Sequence, residues 1–169
     1  MKKLLLIIAA LASSSVNAAH DKVELSDVDK CVMNVMEKYP GHIVSMEAEI
    51  EKNRLIYEFD VMAKNGKEIE IECDARKHTL HDYEVELKKG NKEFSAAAKI
   101  SENEAEKIAL KKYNGKVVDR EYAMENGKPV YEFDIYVAKK GHEYEVEVDA
   151  VTGEILEVEK ELYDIGSDS

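Results

Sequence analysis

The sequence predicts an α+β fold of two tandem repeats, each with one helix packed on a three- to four-stranded antiparallel sheet. The first observation is an internal repeat, because Tyr57–Asp60 recurs letter for letter as Tyr131–Asp134. The second is a change of hydrophobic period within each copy, from about 3.6 residues to about 2, which is typical of a helix followed by strands. The third is a pair of Asn-Gly dipeptides, Asn65–Gly66 and Asn126–Gly127, which favour tight hairpin turns.

The repeat extends over most of the chain. Lys38–Gly41 corresponds to Lys112–Gly115 at the same spacing, and after one inserted residue Gly66–Ala75 corresponds to Gly141–Ala150. Matches over so long a stretch do not arise from composition. A unit of this size has little core of its own, so we expect the copies to pack together or to share a sheet edge. The predicted units are repeat one, residues 22–88, and repeat two, residues 98–163.

Residues 1–18 are expected to be a signal peptide. Lys2 and Lys3 precede an apolar run, Leu4–Ala12, and small residues follow in the triplet Val16–Ala18 at the spacing that signal peptidase requires. Cleavage is expected at the end of this triplet, or one residue later. The run is shorter than the roughly 20 apolar residues of a membrane anchor. We therefore expect a periplasmic or secreted protein with no membrane insertion after cleavage.

Each repeat is expected to begin with its helix. In repeat one Ser26 or Asp27 is the expected N-cap, and the Pro40–Gly41 pair ends the helix. In repeat two Ser101 and Glu104 have the spacing of a capping box. The apolar face of the first helix follows the helical period, and its members are Val28, Cys31, Val32, Val35 and Met36.

Strands are expected where apolar residues alternate with acidic ones. The alternation covers Tyr57–Val61, Ile69–Cys73 and Tyr144–Val148, and it predicts half-buried strands with the acidic side chains facing outward. A last strand in each copy is expected near Leu80–Leu87 and Ile155–Leu162.

Two segments fall outside these patterns. Lys88–Ala97 is polar and then rich in small residues, which predicts a linker between the repeats. Residues 164–169 are expected to form a flexible tail.

The charge balance excludes several classes of partner. The formal net charge is −12, and so acidic a surface repels nucleic acid phosphates and anionic lipid headgroups. We therefore predict no nucleic acid partner, whereas basic proteins and divalent cations remain open.

The acidic faces of the strands are the candidate binding residues. One interpretation is a solvated face with interspersed lysines. The other is a docking surface for a basic partner, or weak calcium binding through the carboxylates. The residues proposed as partner contacts are Glu58, Asp60, Glu68, Glu70, Glu72, Glu132, Asp134, Glu143, Glu145 and Glu147.

Cys31 and Cys73 are the two cysteines of the chain. Both are expected to point into the core of repeat one, because their counterparts in repeat two, Ala105 and Val148, occupy expected core positions. In an oxidising compartment an even count invites pairing. The pair therefore forms either a disulfide or two buried free thiols, and no redox-active motif accompanies them.

A metal site was considered at His78 and His81, which lie close to Asp74 and Asp82. Imidazole and carboxylate suit zinc or copper. However, the spacing matches no strong metal-binding pattern, and these residues are interpreted as ordinary turn residues. We predict no metal site here and no cofactor.

The assembled pattern resembles the PepSY domain. Both copies read as a helix, a Tyr-x-Gly stop, a Tyr-Glu-Phe-Asp strand and a strand that ends in Asp-Ala. Repeat one departs from the family at Arg76–His78, where the threonine and glycine of the turn are missing. The positions that carry the resemblance are Tyr39, Gly41, Tyr57, Asp74 and Ala75 in repeat one, and Ser101, Ala105, Tyr113, Gly115, Tyr131, Asp149, Ala150 and Gly153 in repeat two.

The resemblance implies an extracytoplasmic module without catalytic residues. PepSY domains occur in propeptides of thermolysin-type metallopeptidases and in small exported proteins, and peptidase inhibition or protection is the role usually proposed for them. The sequence contains none of the common catalytic motifs. We therefore expect a non-enzymatic binding module for an exported protein, a peptidase foremost. The alternatives are an envelope protein that binds a cation or small ligand through its acidic faces, and a structural accessory protein.

Overall fold

The computed structural model describes residues 24–166, so the expected signal peptide and residues 167–169 lie outside the described residues. The helices and strands form two antiparallel sheets, of five and four strands. No helix among the described residues has both the length and the apolar character of a membrane span. The elements are α1 (Asp27–Lys38), β1 (Gly41–Glu51), β2 (Arg54–Ala63), β3 (Glu68–Asp74), β4 (Leu80–Val85), α2 (Lys92–Ala97), α3 (Glu102–Lys112), β5 (Lys116–Glu125), β6 (Lys128–Tyr136), β7 (Val146–Asp149), β8 (Ile155–Val158) and β9 (Glu161–Gly166).

The predicted α+β fold of two repeats is confirmed. Each copy is a helix followed by a four-stranded meander, β1 to β4 in repeat one and β5 to β8 in repeat two. The helix starts are the expected ones. The Asp29 carboxylate accepts hydrogen bonds from the backbone N–H and the hydroxyl of Ser26, and Glu104 accepts the same two bonds from Ser101. These bonds satisfy amides that the first turn of a helix leaves without a partner.

Each helix packs on one face of its own sheet. The core of repeat one joins Cys31 and Val35 of α1 to the apolar side chains of β2 and β3. The core of repeat two joins Ala105 and Ala109 of α3 to β6 and β7. The buried strand residues of these two cores are Phe59, Val61, Ile69, Ile71 and Cys73 in repeat one and Tyr131, Phe133, Ile135, Val146 and Val148 in repeat two.

The turn at Arg76–His78 forms despite its departure from the family pattern. The Asp74 carboxylate accepts the backbone N–H groups of Arg76 and Lys77, as Asp149 does for the corresponding turn of repeat two. The last residue of the turn must adopt a left-handed backbone conformation. His78 adopts φ 56°, and Gly153 adopts φ 75° at the equivalent place. Repeat one therefore keeps the turn without the glycine that most easily adopts this conformation.

The segment Lys88–Ala97 is not a plain linker. Residues Lys92–Ala97 form α2, which is capped by the Asn91 side chain. Phe94 of this helix is buried in the core of repeat two, in edge-to-face contact with Tyr122 and Tyr131. The linker prediction was wrong here because a single aromatic residue in a polar and small segment gives no periodic signal.

The last strand predicted for repeat two is divided between the two sheets. β8 pairs with β7 in the four-stranded sheet, whereas β9 pairs with β1 of repeat one and makes the other sheet five-stranded. The crossing is abrupt. The Glu159 N–H donates to the Glu145 carbonyl, and the next N–H, of Lys160, donates to the Ile50 carbonyl. The prediction of a flexible tail is therefore wrong for residues 164–166, which lie in β9.

The two cysteines form a disulfide that joins α1 to β3 in the core of repeat one. Repeat two has Ala105 and Val148 in the corresponding places, and both are fully buried. The same architecture is thus held by a covalent bond in one copy and by apolar packing alone in the other.

Replacing Cys31 with Ala and Cys73 with Val copies the residues of repeat two into repeat one. We expect the free energy of unfolding to fall by about 4 kcal/mol, because the disulfide closes a loop of 42 residues in the unfolded chain. Urea unfolding followed by circular dichroism measures the change. A reductant should weaken the native protein by a similar amount and leave the variant unaffected. A variant as stable as the native protein would contradict this account.

Candidate functional site between the two sheets

The sheet faces that the helices leave uncovered are turned toward each other. On one lateral border β4 meets β5, where Glu86 bridges to Ala123 and the Leu87 N–H donates to the Tyr122 carbonyl. On the other border the chain itself crosses from β8 to β9. The space between the sheets is therefore enclosed on both sides, and any side chain that points into it loses most of its contact with water.

The side chains that point into this space are acidic. We call this set of inter-sheet carboxylates the acidic layer. Strand register places Glu47 opposite Glu58 and Glu121 opposite Glu132, so like charges face each other across neighbouring strands. The members of the acidic layer are Glu47, Glu49, Glu58, Asp60, Glu70, Glu72, Glu84 and Glu86 from repeat one and Glu121, Glu125, Glu132, Asp134, Glu145, Glu147 and Glu159 from repeat two.

The expectation of a solvated acidic face is wrong. The proposed partner contacts are not exposed, because the uncovered face of each repeat lies against that of the other. Among them Glu58, Glu70, Glu72, Glu132 and Glu147 are buried, and Asp60, Glu68, Asp134, Glu143 and Glu145 are half-buried.

Sequence reasoning missed several members of the acidic layer. Glu49 lies on β1, Glu84 on β4 and Glu159 at the crossing, and all three are buried. Glu49 and Glu84 both had a readable signal, since glutamates alternate with Met46, Ala48 and Ile50 along β1 and Glu84 stands between Tyr83 and Val85 in β4.

The carboxylates gather in groups that could hold a cation. In the largest group Glu49, Glu58, Glu145 and Glu159 each bring one oxygen to within 4.8 Å of the others. Three further groups run from there toward the β4–β5 border. They are Glu58, Asp60 and Glu70; Glu70, Glu121 and Glu132; and Glu84, Glu125 and Glu147.

Many of these oxygens have no donor to bind. Both carboxylate oxygens of Glu49 and of Glu132 are buried without a hydrogen-bond partner among the described residues, as are single oxygens of Glu58, Glu84 and Glu159. A buried carboxylate without compensation costs several kcal/mol or more. The acidic layer therefore requires protons or cations to be compatible with the closed fold.

Burial raises the carboxyl pKa of several members of the acidic layer. It raises the pKa of Glu49 to about 8 and that of Glu84 to about 7, with neighbouring carboxylates as a further cause. The pKa of Glu159 rises to about 11 for the same reasons, and that of Glu132 lies well above its ordinary value. Two ionised carboxylates have no proton to share, so Glu49 and Glu159, or Glu84 and Glu132, can hydrogen-bond to each other only when one carboxyl of the pair is protonated.

Basic groups lie at the rim of the acidic layer. Lys52 pairs with Glu51 at 2.5 Å and with Glu157 at 2.8 Å, and Arg54 also contacts Glu51. These contacts neutralise carboxylates at the rim, but they do not neutralise the carboxylates enclosed between the sheets.

His78 and His81 contact different carboxylates, and only His81 belongs to a group of possible metal ligands among the described residues, with Glu72 and Asp82. His78 Nε2 lies 2.9 Å from the Asp27 carboxylate on α1. His81 Nδ1 lies 2.9 Å from Glu72 and 3.0 Å from Asp82, and the Glu72 hydrogen bond is the main cause that raises the pKa of His81 to about 9. Each histidine therefore makes its own ion pair or hydrogen bond to a carboxylate.

Comparison with known proteins gives matches in both repeats. The profile of PepSY, described as Peptidase propeptide and YPEB domain, matches residues 28–77 and 99–159. The uncharacterized protein YkoJ of Bacillus subtilis strain 168 is 29% identical over 119 residues, which cover 70% of this chain and 65% of that protein. The chain thus spans slightly less than two thirds of this curated relative.

Two solved structures match this chain at low sequence identity and with low TM-scores. A candidate lipoprotein of Clostridium difficile 630 is 22% identical, with a TM-score of 0.35 over 80% of this chain and 93% of that one. The C-terminal domain of YpeB from Bacillus megaterium is 17% identical, with a TM-score of 0.41 over 81% of this chain and 64% of that one.

Replacing Glu132 with Gln tests the electrostatics of the acidic layer. Glu132 is 4% exposed and faces four carboxylates, and these are Glu70 on β3, Glu84 on β4, Glu121 on β5 and Glu145 beside β7. A carboxyl whose folded pKa is raised stabilises the fold only while it is protonated, and this contribution is lost as pH rises above its unfolded value of 4.5. Glutamine stays neutral at every pH.

We therefore expect the variant to be more stable than the native protein at pH 8, by more than about 1.4 kcal/mol, the free energy of a tenfold change in a protonation constant. At pH 4 the two should be nearly equal. Urea unfolding in a chelator at several pH values measures the difference. Glu37→Gln, on the exposed surface of α1, is the control. A Glu132→Gln protein that is less stable at pH 8 would refute the assignment.

Proposed function

The chain belongs to the PepSY family, and on this premise we propose that it is an exported, non-catalytic binding module that modulates another exported protein, a peptidase foremost. The family match covers both repeats, and the family description names peptidase propeptides. The charged and apolar N-terminal residues support export. Its place would be the periplasm or the medium.

The open edge of β9 is the observation that carries this proposal. Because the acidic layer is turned inward, a partner must bind elsewhere. β9 pairs with β1 on one side and with no described strand on the other. Its outer backbone groups are therefore available to an extended segment of a partner, which adds as a further strand. Tyr163 and Ile165 are 47% and 60% exposed beside that edge and would contact alternate side chains of the added segment.

The side chains of β9 support this proposal, because an open strand edge is usually protected against pairing with other chains. Edges are usually shortened, charged or covered, since they otherwise promote aggregation. β9 carries Glu161 and Asp164 but also three exposed apolar side chains, Leu162, Tyr163 and Ile165. A strand with this composition is more consistent with a binding edge than with a protected one.

Replacing Ile165 with Glu should weaken partner binding by tenfold or more. The substitution places a charge where the proposal requires apolar contact, and burying one such side chain contributes about 1.5–3 kcal/mol. Val118→Glu, which changes an apolar residue of β5 that is 40% exposed, is the matched control and should bind normally.

The partner for this measurement comes from the exported proteins of the native bacterium. A peptidase recovered with the tagged chain is purified, and its hydrolysis of a peptide substrate is measured as the chain is added. We expect the rate to change in a saturable way with the native chain and with Val118→Glu, but not with Ile165→Glu. An unchanged rate with all three proteins would refute the modulating role.

A second candidate function is cation or small-ligand binding in the acidic layer. The observation that favours it is the set of buried carboxylate oxygens without hydrogen-bond partners. Such groups are compensated either by protons or by cations, and hard divalent cations prefer carboxylate oxygen.

A further inference from the structure

The group of Glu49, Glu58, Glu145 and Glu159 combines residues from both repeats. Glu49 lies on β1 and Glu58 on β2, whereas Glu145 precedes β7 and Glu159 follows β8. The backbone holds the second pair together, because the Glu159 N–H donates to the Glu145 carbonyl at 3.1 Å. Anything bound by these four side chains therefore joins the two halves of the molecule.

Glu49 is the residue that points to a ligand. Its side chain is 0% exposed, and neither of its oxygens has a hydrogen-bond partner among the described residues. Glu159 is 2% exposed and has one such oxygen, as has Glu58. No described lysine, arginine or histidine forms an ion pair with these three residues. One carboxylate oxygen of each of these residues lies within 4.8 Å of those of the others, so the three carboxylates converge on one small region.

We propose that these four carboxylates bind one calcium ion that bridges the two repeats. Calcium takes oxygen ligands at about 2.3–2.6 Å, so ligands on opposite sides of the ion are about 5 Å apart. The spread of 4.8 Å in this group fits that geometry with small side-chain movements. The inference deepens the second candidate function and is independent of the peptidase proposal.

The chemistry of the group disfavours other common cations. It contains no histidine or cysteine, the ligands that zinc and copper prefer. Magnesium requires oxygens at about 2.0–2.1 Å in near-ideal octahedral geometry and usually keeps several waters.

Calcium binding would hold the crossing between the sheets in place. Glu159 is the last residue that hydrogen-bonds to the four-stranded sheet, and Lys160 is the first that pairs with β1. An ion at Glu159 therefore fixes the point at which the chain changes sheets. It also offsets the repulsion among carboxylates that would otherwise separate the repeats.

The experiment compares the native chain with Glu49→Gln/Glu159→Gln, using calcium chloride as the probe after treatment with a chelator. Isothermal titration calorimetry measures binding, and thermal unfolding measures stability. For the native chain we expect a dissociation constant below about 1 mM. At a hundredfold excess of calcium over that value, Tm should rise by about 5–10 °C.

The Tm of the double variant should differ from that of the native chain both without calcium and in its response to calcium. Without calcium it should melt at a higher temperature than the native chain, because neutral side chains replace repelling carboxylates. With calcium its Tm should not rise further, and its affinity should fall by at least tenfold. The exposed change Glu37→Gln should leave both measurements as in the native chain. A variant that fails to fold is itself an adverse outcome, since the proposal requires it to be more stable without the ion.

Three other results would overturn the proposal. If calcium neither binds nor raises Tm, and magnesium, manganese and zinc also have no effect, then both this site and cation binding as the second candidate function are wrong. If calcium binds the variant as tightly as the native chain, the acidic layer binds cations but not at this group. If magnesium raises Tm as much as calcium does, the assignment to calcium is wrong.

Discussion

The structure depends on neutralising the like-charged carboxylates that are enclosed between its two sheets. Each repeat uses the apolar face of its sheet to bind its own helix, so the acidic face remains for contact with the other copy. Enclosing a carboxylate in a poorly solvated space costs several kcal/mol, and neighbouring carboxylates add to that cost. The packing of the repeats is therefore conditional on neutralisation, by protons on groups such as Glu132 and Glu49, whose pKa values are raised, or by the cation proposed beside Glu49.

This condition explains why the remaining contacts between the repeats are concentrated at the borders. Glu86 and Ala123 form a bridge at one border, and the β1–β9 pairing forms the other. Backbone hydrogen bonds of this kind do not depend on side-chain charge, so they hold the two sheets in register whether the carboxyls of the acidic layer are ionised or protonated. An apolar layer would have given a more stable sandwich, but one without titratable groups between the sheets.

Much of the fold could be predicted because its signals are local. The capping boxes at Ser26 and Ser101 and the alternation at Tyr57–Val61 each depend on neighbours in sequence. The direction of the acidic faces could not be predicted, because alternation shows that a face is polar but not whether another sheet covers it. The crossing at Glu159 was missed for a related reason, since β8 and β9 read as one strand until the partner of each half is known.

The two proposed binding regions are connected through a single stretch of backbone. Glu159 contributes to the acidic layer, and two residues later β9 begins as an edge strand of the other sheet. The position of β9 on β1 is set partly by the Ile50–Lys160 hydrogen bonds directly beside that carboxylate. If repulsion among the carboxylates moves Glu159 away from Glu49, those bonds are the first to be strained. The open edge of β9 is then held less rigidly against β1. A change in the charge of the acidic layer can thus alter the position of the partner-binding edge without any movement of the helices. The connection is short, because Glu159 and Lys160 directly precede β9.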